Sequence, residues 1–344
     1  MKIVIDRNIP YLKEALEAAG HCVVAMPGVA IGRNDVVDAD ALFVRTRTRC
    51  DKALLDGTKV RFIGTATIGY DHIDAGYCKE KGIAWCSAPG CNAGAVLQYV
   101  QAAIYSRYKS VEGLSLGVIG VGEVGSRVAA WGEAAGMTVY KNDPPKAVAG
   151  MTGLVSIEEI AEKCDIISFH TTLEKGGDFP SFHLGNERFF SLLRRKPLVI
   201  NAARGAVVDG AALLKALDAG NISAVALDVW ENEPDIDLEL LDKAWVATPH
   251  IAGYSLEGKY NATRMVLDAF ASFLSFAGDV PMSPLPAVDN AVVEAGNERD
   301  ALLGIYSPLK DTEILKKNPC DFENLRNNYV LRREPSAYKI MIYK

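Results

Sequence analysis

The run Gly120-Val121-Gly122-Glu123-Val124-Gly125 constrains this chain more than any other feature. A G-x-G-x-x-G pattern alone is weak, because glycine is common. Its context gives it force. The apolar run Leu116–Ile119 precedes it and reads as a strand. Val124, Val128, Trp131 and Ala135 follow at i, i+4, i+7 and i+11, along one face of a helix. A second strand leads to Asp143, 18 residues past the last glycine. Each part has a physical task. Gly120 permits the tight turn, Gly122 lets a pyrophosphate approach the backbone, and Gly125 lets helix and strand pack closely. The helix N-terminus offers unpaired N–H groups and the positive end of its dipole to phosphates. Asp143 is placed to accept hydrogen bonds from an adenosine ribose. Its charge would repel a 2′-phosphate, so NAD is expected over NADP, and Lys141 and Lys146 beside it soften that preference. FAD or another nucleotide is the alternative ligand for such a loop.

The fingerprint sits within a longer series. From residue 115 onward, strands are expected at Leu116–Ile119, Met137–Tyr140, Asp165–Phe169, Leu198–Asn201, Ala224–Val229 and Trp245–Ala247, with helical stretches between them. That alternation matches a doubly wound α/β sheet. Ser156-Ile157-Glu158-Glu159 fits a capping box, and Asp209 is placed to cap a helix over 210–219 that Gly220 closes. Upstream, short β-rich runs at Ile3–Ile5, Cys22–Ala25, Ala41–Val44, Arg61–Ile63 and Ile83–Cys86 alternate with helices and describe another α/β block. A helix is expected from Leu256 to Ala277, and three prolines within Pro281–Pro286 mark a boundary. The length, 344 residues, suits about two such domains and a small third one.

Three strands after the fingerprint end in polar groups. Leu198–Ala203 delivers Arg204, Ala224–Leu227 delivers Asp228 with Glu233 shortly after, and Trp245–Ala247 leads to His250. Open α/β sheets bind ligands at such carboxyl ends. An arginine before a glycine is ordinarily a surface charge, and a histidine after a proline is ordinarily a loop residue. Converging beside a nicotinamide, the set suits the oxidation of an alcohol, with hydride leaving the carbon whose hydroxyl gives up its proton. The histidine takes the alcohol proton, the arginine holds a carboxylate or polarises the carbonyl, and a carboxylate stabilises the cationic imidazole. His170 is the best rival for the acid/base role; with Thr171 it fits the wall of a cofactor pocket better.

Composition excludes other classes. Apolar residues make up 49% and no apolar run reaches the roughly 18 residues that span a bilayer, so no membrane protein is expected. A net charge of −6 does not suit general nucleic-acid binding. The start Met1-Lys2-Ile3-Val4-Ile5-Asp6 lacks the features of a secretory signal. The seven cysteines form no Cys-x-x-Cys pair and do not cluster with histidines, so no metal is expected and a cytoplasmic location is.

These segments resemble the D-isomer-specific 2-hydroxyacid dehydrogenases: Gly120–Gly125, Asn201-Ala202-Ala203-Arg204-Gly205, Leu227-Asp228-Val229-Trp230 with Glu233-Pro234, and Pro249-His250-Ile251-Ala252-Gly253. Further stretches narrow the resemblance to the branch of that family that oxidises 4-phospho-D-erythronate on the way to pyridoxal 5′-phosphate. They include Asp6-x-Asn8-x-Pro10, Thr65-Ala66-Thr67-x-Gly69-x-Asp71-His72, Ala88-Pro89-Gly90-Cys91-Asn92, and the tail with Phe322-Glu323-x-Leu325-Arg326 and Arg332-Arg333-Glu334.

The resemblance implies Arg204, Glu233 and His250 as catalytic residues. It implies Gly120, Gly122, Val124, Gly125, Asp143, Thr171, Asp228 and Gly253 at NAD, with Asp228 reaching the nicotinamide amide. Thr46, Thr67 and Tyr254 fall at the substrate. A Rossmann NAD domain (94–254) would be inserted in a flavodoxin-like α/β substrate domain (1–93 and 255–280), with a small C-terminal α/β domain (281–344) forming a homodimer. The substrate, a small phosphorylated 2-hydroxy acid, needs a second cationic anchor besides Arg204. Arg45, Arg47 and Arg49 follow the strand Ala41–Val44, and at alternate positions of extended chain they would point one way. Arg45, beside Thr46, is the best candidate. Two alternatives stay open: a dehydrogenase for glycerate- or lactate-like acids, and an NAD-sensing regulator on the same scaffold.

Overall fold

Short apolar runs bounded by turn residues become parallel strands, and the central ones are buried on both faces, as crossover helices require. The computed structural model describes residues 1–276 and 280–343. The chain divides into two units, Met1–Asn92 with Ser255–Ala287, and Ala93–Tyr254 with Val288–Lys344.

In the first unit, β1 (Lys2–Asp6), β2 (Cys22–Met26), β3 (Ala41–Val44), β4 (Phe62–Thr65) and β5 (Ala84–Cys86) form a parallel sheet in the order β2-β1-β3-β4-β5. This is the flavodoxin-like order of a doubly wound sheet. β3 and β4 are wholly buried, whereas β2, at the edge, has only exposed and half-buried residues. The helix Leu256–Phe273 returns to this sheet. Its Phe270 ring lies 5.3 Å from Phe43 and 5.1 Å from Phe62. Gly64 makes room for it: a Cβ there would come within 2.7 Å of the Phe43 ring and 3.2 Å of Val266 Cβ. Ser255 caps the helix by accepting the Gly258 N–H. The expected end at Ala277 lies outside the described residues, as do 278 and 279.

In the second unit, β6 (Ser115–Ile119), β7 (Thr138–Asn142), β8 (Ile166–Phe169), β9 (Leu198–Asn201), β10 (Ala224–Leu227) and β11 (Val246–Ala247) form a parallel sheet in the order β11-β10-β9-β8-β6-β7. The chain leaves β6 for β7 on one side and returns to β8 on the other. The carboxyl end of β6 is therefore the switch point where such sheets bind ligands. The expected caps are present, with Ser156 Oγ accepting the Glu159 N–H and Asp209 Oδ1 accepting the Ala212 N–H.

Of the segment 281–344, expected as a small C-terminal domain, the part from Val288 onward groups with this second unit. It contributes helices Glu298–Ile305, Pro308–Lys317 and Phe322–Asn327 and a parallel pair, β12 (Val292–Ala295) and β13 (Lys339–Ile342). The reason is its size: so short a segment cannot enclose a core of its own. Leu302 and Tyr306 instead complete the cluster around Tyr99 and Ile104 of the helix Ala93–Arg107, and Leu315 and Phe322 join the cluster around Leu227.

Candidate active site

The glycine loop shows why each glycine is needed. Gly120 has φ +89°, and a Cβ on it would lie 2.8 Å from the carbonyl carbon of His170 and the nitrogen of Thr171. A Cβ on Gly125 would lie 1.9 Å from the Gly120 carbonyl oxygen. Gly122, the N-cap of the helix Glu123–Ala134, has no atom within 4 Å of its would-be Cβ, so the approach to the helix N-terminus is open. Val124 is half-buried against the cluster around Val128. Asp143 caps the helix Pro144–Val148 through Oδ1, 3.1 Å from Lys146 N, and Oδ2 accepts the Val121 N–H at 2.8 Å.

The Thr171 hydroxyl, at the end of β8 and across from Gly120, is buried with no hydrogen-bond partner among the described residues. Native proteins rarely leave a buried polar atom unpaired, so an orphaned hydroxyl beside the glycine turn marks a place for a ligand group. His170 Nε2 lies 2.8 Å from Ser168 Oγ, and burial pushes its pKa down to about 3. It is neutral at neutral pH and poorly matched to taking up a proton there.

His250 and Glu233 meet. His250 Nδ1 lies 2.8 Å from Glu233 Oε2, while Glu233 Oε1 accepts the Trp230 N–H at 2.9 Å. Burial works against ionisation of Glu233, but the His250 contact, the Trp230 N–H and Arg326 together hold its carboxyl below the usual range. A histidine that gives its Nδ1–H to a carboxylate presents Nε2 as the acceptor. Arg204 sits at the end of β9, exposed, with Nη1 donating to the Ala203 carbonyl at 2.7 Å. Gly205 lets its loop touch the loop that carries Glu233: a Cβ at 205 would lie 1.9 Å from the Trp230 oxygen. His183 links the same loops, with Nε2 2.7 Å from Glu231 Oε1, while Glu231 Oε2 accepts the Gly210 N–H at 2.9 Å.

Asp228 is fully buried and holds the chain around His250. Its carbonyl accepts the His250 N–H, Oδ1 accepts from Thr248 Oγ1 and the Ile251 N–H, both at 2.7 Å, and Oδ2 accepts the Ala252 N–H at 2.9 Å. Expected at the nicotinamide, this side chain is also what fixes the loop running through Gly253 to Tyr254.

In the first unit, Thr67 belongs to a short relay. Its hydroxyl donates to the Gly69 carbonyl at 2.9 Å and lies 2.7 Å from Thr65 Oγ1, which in turn lies 2.8 Å from His72 Nε2. Arg45 is half-buried and Thr46 exposed at the carboxyl end of β3. One expectation fails here. Arg45, Arg47 and Arg49 do not lie along one face of extended chain. β3 ends at Val44, and the Thr48 N–H closes a turn on the Arg45 carbonyl at 3.2 Å. Thr48 is buried with its hydroxyl on the Gly28 carbonyl, and that tie bends the chain.

Two arginines of the tail were not expected at the site. Arg326 Nη1 lies 3.8 Å from Glu233 Oε2, and Arg332 donates to the carbonyls of Ile251 and Tyr254. Both lie in segments quoted above for their resemblance, yet neither ends a strand, so nothing local marked them as site residues.

Residues 93–252 match the family model described as D-isomer specific 2-hydroxyacid dehydrogenase, NAD binding domain. A Bacteroides thetaiotaomicron protein named erythronate-4-phosphate dehydrogenase is 48% identical over 346 residues, covering 99% of each chain. An Escherichia coli protein of the same name is 39% identical over 356 residues, covering 99% of this chain and 94% of its own. Among solved structures, D-lactate dehydrogenase from Aquifex aeolicus, complexed with NAD and lactic acid, aligns with a TM-score of 0.61 at 27% identity, covering 80% of this chain and 96% of its own. NAD⁺-bound 3-phosphoglycerate dehydrogenase from Entamoeba histolytica aligns with a TM-score of 0.65 at 26% identity, covering 80% and 95%.

Proposed function

Because this chain belongs to the D-isomer-specific 2-hydroxyacid dehydrogenases, in the branch of the erythronate-4-phosphate dehydrogenases, we propose that it oxidises 4-phospho-D-erythronate to the 2-oxo acid with NAD, a step toward pyridoxal 5′-phosphate. The observation that carries the mechanism is the 2.8 Å contact between His250 Nδ1 and Glu233 Oε2. It sets the tautomer in which Nε2 can take a proton.

The residues present fit the cofactor. The open approach at Gly122, the N–H groups of the helix Glu123–Ala134 and the orphaned Thr171 hydroxyl would hold the pyrophosphate side, and Asp143 the ribose. Val124, Asp228 and Gly253 complete the set read for NAD. Bound NAD⁺ supplies the acceptor for the C2 hydride. The protein handles the proton and the charges. His250 Nε2 removes the C2 hydroxyl proton, and Glu233 stabilises the imidazolium that forms. Arg204 fixes the substrate carboxylate with a planar fork of donors. Thr67, held by Thr65 and His72, is read as a further substrate residue. Arg45 with Thr46 anchors the phosphate, and Tyr254 lines the substrate. A chain with net charge −6 needs such a local cation to hold a dianion.

We infer further that the enzyme is a cytoplasmic homodimer. All seven cysteines are free, which suits a reducing compartment, and among the described residues no helix is long and apolar enough to cross a membrane. Val330 is 86% exposed, and Val292, Ile342 and Tyr343 are also exposed, all in the segment expected to dimerise. Sedimentation measures the mass.

The test of function is NADH formation from 4-phospho-D-erythronate beside D-glycerate and D-lactate, with a 2-oxo acid present to turn over retained cofactor. The phosphorylated acid should exceed the others in kcat/KM by about 10–100-fold, the worth of one or two charge-assisted contacts. Equal turnover of all three, or none with any, contradicts the reading.

A further inference from the structure

We propose that Arg332, in the C-terminal segment, is a positioning residue for His250, so that this segment acts on catalysis within its own chain; the proposal rests on the reading of His250 as the base. Arg332 is 9% exposed and every one of its five N–H donors is used. Nε donates to Gln98 Oε1 at 3.0 Å. Nη1 donates to the carbonyls of Ile251 at 2.9 Å and Tyr254 at 3.1 Å. Nη2 donates to the carbonyls of Ala95 and Ala252. The guanidinium also lies 4.4 Å from the Tyr306 ring centroid. Three of the five acceptors thus belong to the four residues that follow His250.

Asp228 grips the same loop by its N–H groups. Its carboxylate accepts from Ile251 and Ala252, and its carbonyl accepts from His250. Anion and cation therefore hold opposite backbone polarities of one short loop. The loop needs holding, because His250 has φ +58°, in the left-handed region that a residue with a Cβ occupies at a cost. Such a conformation persists only where the surroundings over-determine it. With Arg332 gone, the carbonyls of Ala252 and Tyr254 lose the guanidinium and that of Ile251 keeps only the Tyr254 N–H, so the left-handed turn relaxes and the imidazole leaves the line fixed by Glu233. The aligned solved structures cover about 80% of this chain, so a substantial part of it is added to the shared scaffold, and the Arg332 clamp gives the tail a function beyond a dimer contact.

The test compares Arg332→Gly, Arg332→Lys and His250→Ala with the parent protein for kcat, KM, NADH affinity and Tm, with and without added guanidinium. A misplacement of about 1 Å can cost about 10²-fold in rate. Arg332→Gly should lose about 10–100-fold in kcat while NADH affinity stays within about threefold. Guanidinium should restore part of that kcat, and none of it in His250→Ala. Arg332→Lys keeps the charge, should fold, and should fall between the two. A folded Arg332 variant with kcat within about twofold of the parent, or a loss that guanidinium leaves untouched, overturns the proposal. The histidine NMR spectrum tests it without any substrate. The His250 resonance, assigned through His250→Ala, should move in Arg332→Lys; a resonance that stays in place overturns the proposal whatever acid the enzyme oxidises.

Discussion

His250 Nδ1 lies 2.8 Å from Glu233 Oε2, and that carboxylate also faces Arg326 Nη1 at 3.8 Å. The imidazole is thus oriented by a charge that is itself held in place by the Trp230 N–H and a cation. Exchanging the charge for a neutral isostere keeps the size and removes the stabilisation of the imidazolium. Glu233→Gln should lower kcat by about 10²-fold or more with KM for NAD nearly unchanged, as steady-state kinetics would show. Wild-type turnover in that variant would remove Glu233 from the mechanism.

Burial pushes His170 down to about 3 in the folded protein, while an unfolded histidine titrates near 6.5. Between those values the unfolded chain binds a proton that the folded chain refuses. Stability therefore falls as pH drops below about 6.5, with a slope approaching about 1.4 kcal/mol per pH unit from this group alone. Thermal unfolding between about pH 7 and pH 5 should show the fall, and His170→Asn should flatten part of it. An unchanged pH dependence in the variant would contradict the assignment.

Asp143 caps one helix and accepts the Val121 N–H inside the glycine loop. Asp143→Ala should raise KM for NAD about tenfold and narrow the gap between NAD and NADP, because the repelling charge is gone. Loss of the cap should lower stability by about 1 kcal/mol. Unaltered discrimination between the two cofactors would sink the ribose role.

A Cβ at Gly205 would meet the backbone of Trp230 at 1.9 Å, and backbone cannot rotate away. Gly205→Ala must push apart the loops that carry Arg204 and Glu233. We expect a loss of about 1–3 kcal/mol by thermal or chemical unfolding and a fall in kcat larger than that in Glu233→Gln alone. A variant with parental Tm and kcat would show that the two loops tolerate separation.

Three of the candidate residues marked in the sequence share one property: each lies just past the end of a strand. Arg204, Asp228 and His250 come at the carboxyl ends of β9, β10 and β11, and parallel strands fix where their ends lie. The glycine loop was legible for the same reason, since its spacing tracks one turn between β6 and the helix from Glu123. The turn at Arg45–Thr48 was not, because the tie that bends it runs from Thr48 to Gly28, 20 residues away. Arg326, on the helix Phe322–Asn327, and Arg332, in the chain beyond it, carry no local signal, because their partners lie more than 70 residues upstream. Local pattern carries no record of such contacts.

The most direct measurement is the single-turnover and steady-state rate of His250→Ala with 4-phospho-D-erythronate and NAD, beside its NADH affinity. A base positioned to take the C2 hydroxyl proton predicts a kcat reduced by about 10²–10⁴-fold with cofactor binding retained. Turnover within about twofold of the parent, with NADH bound as before, would mean that some other group carries the proton and that the His250–Glu233 contact is not the centre of the reaction.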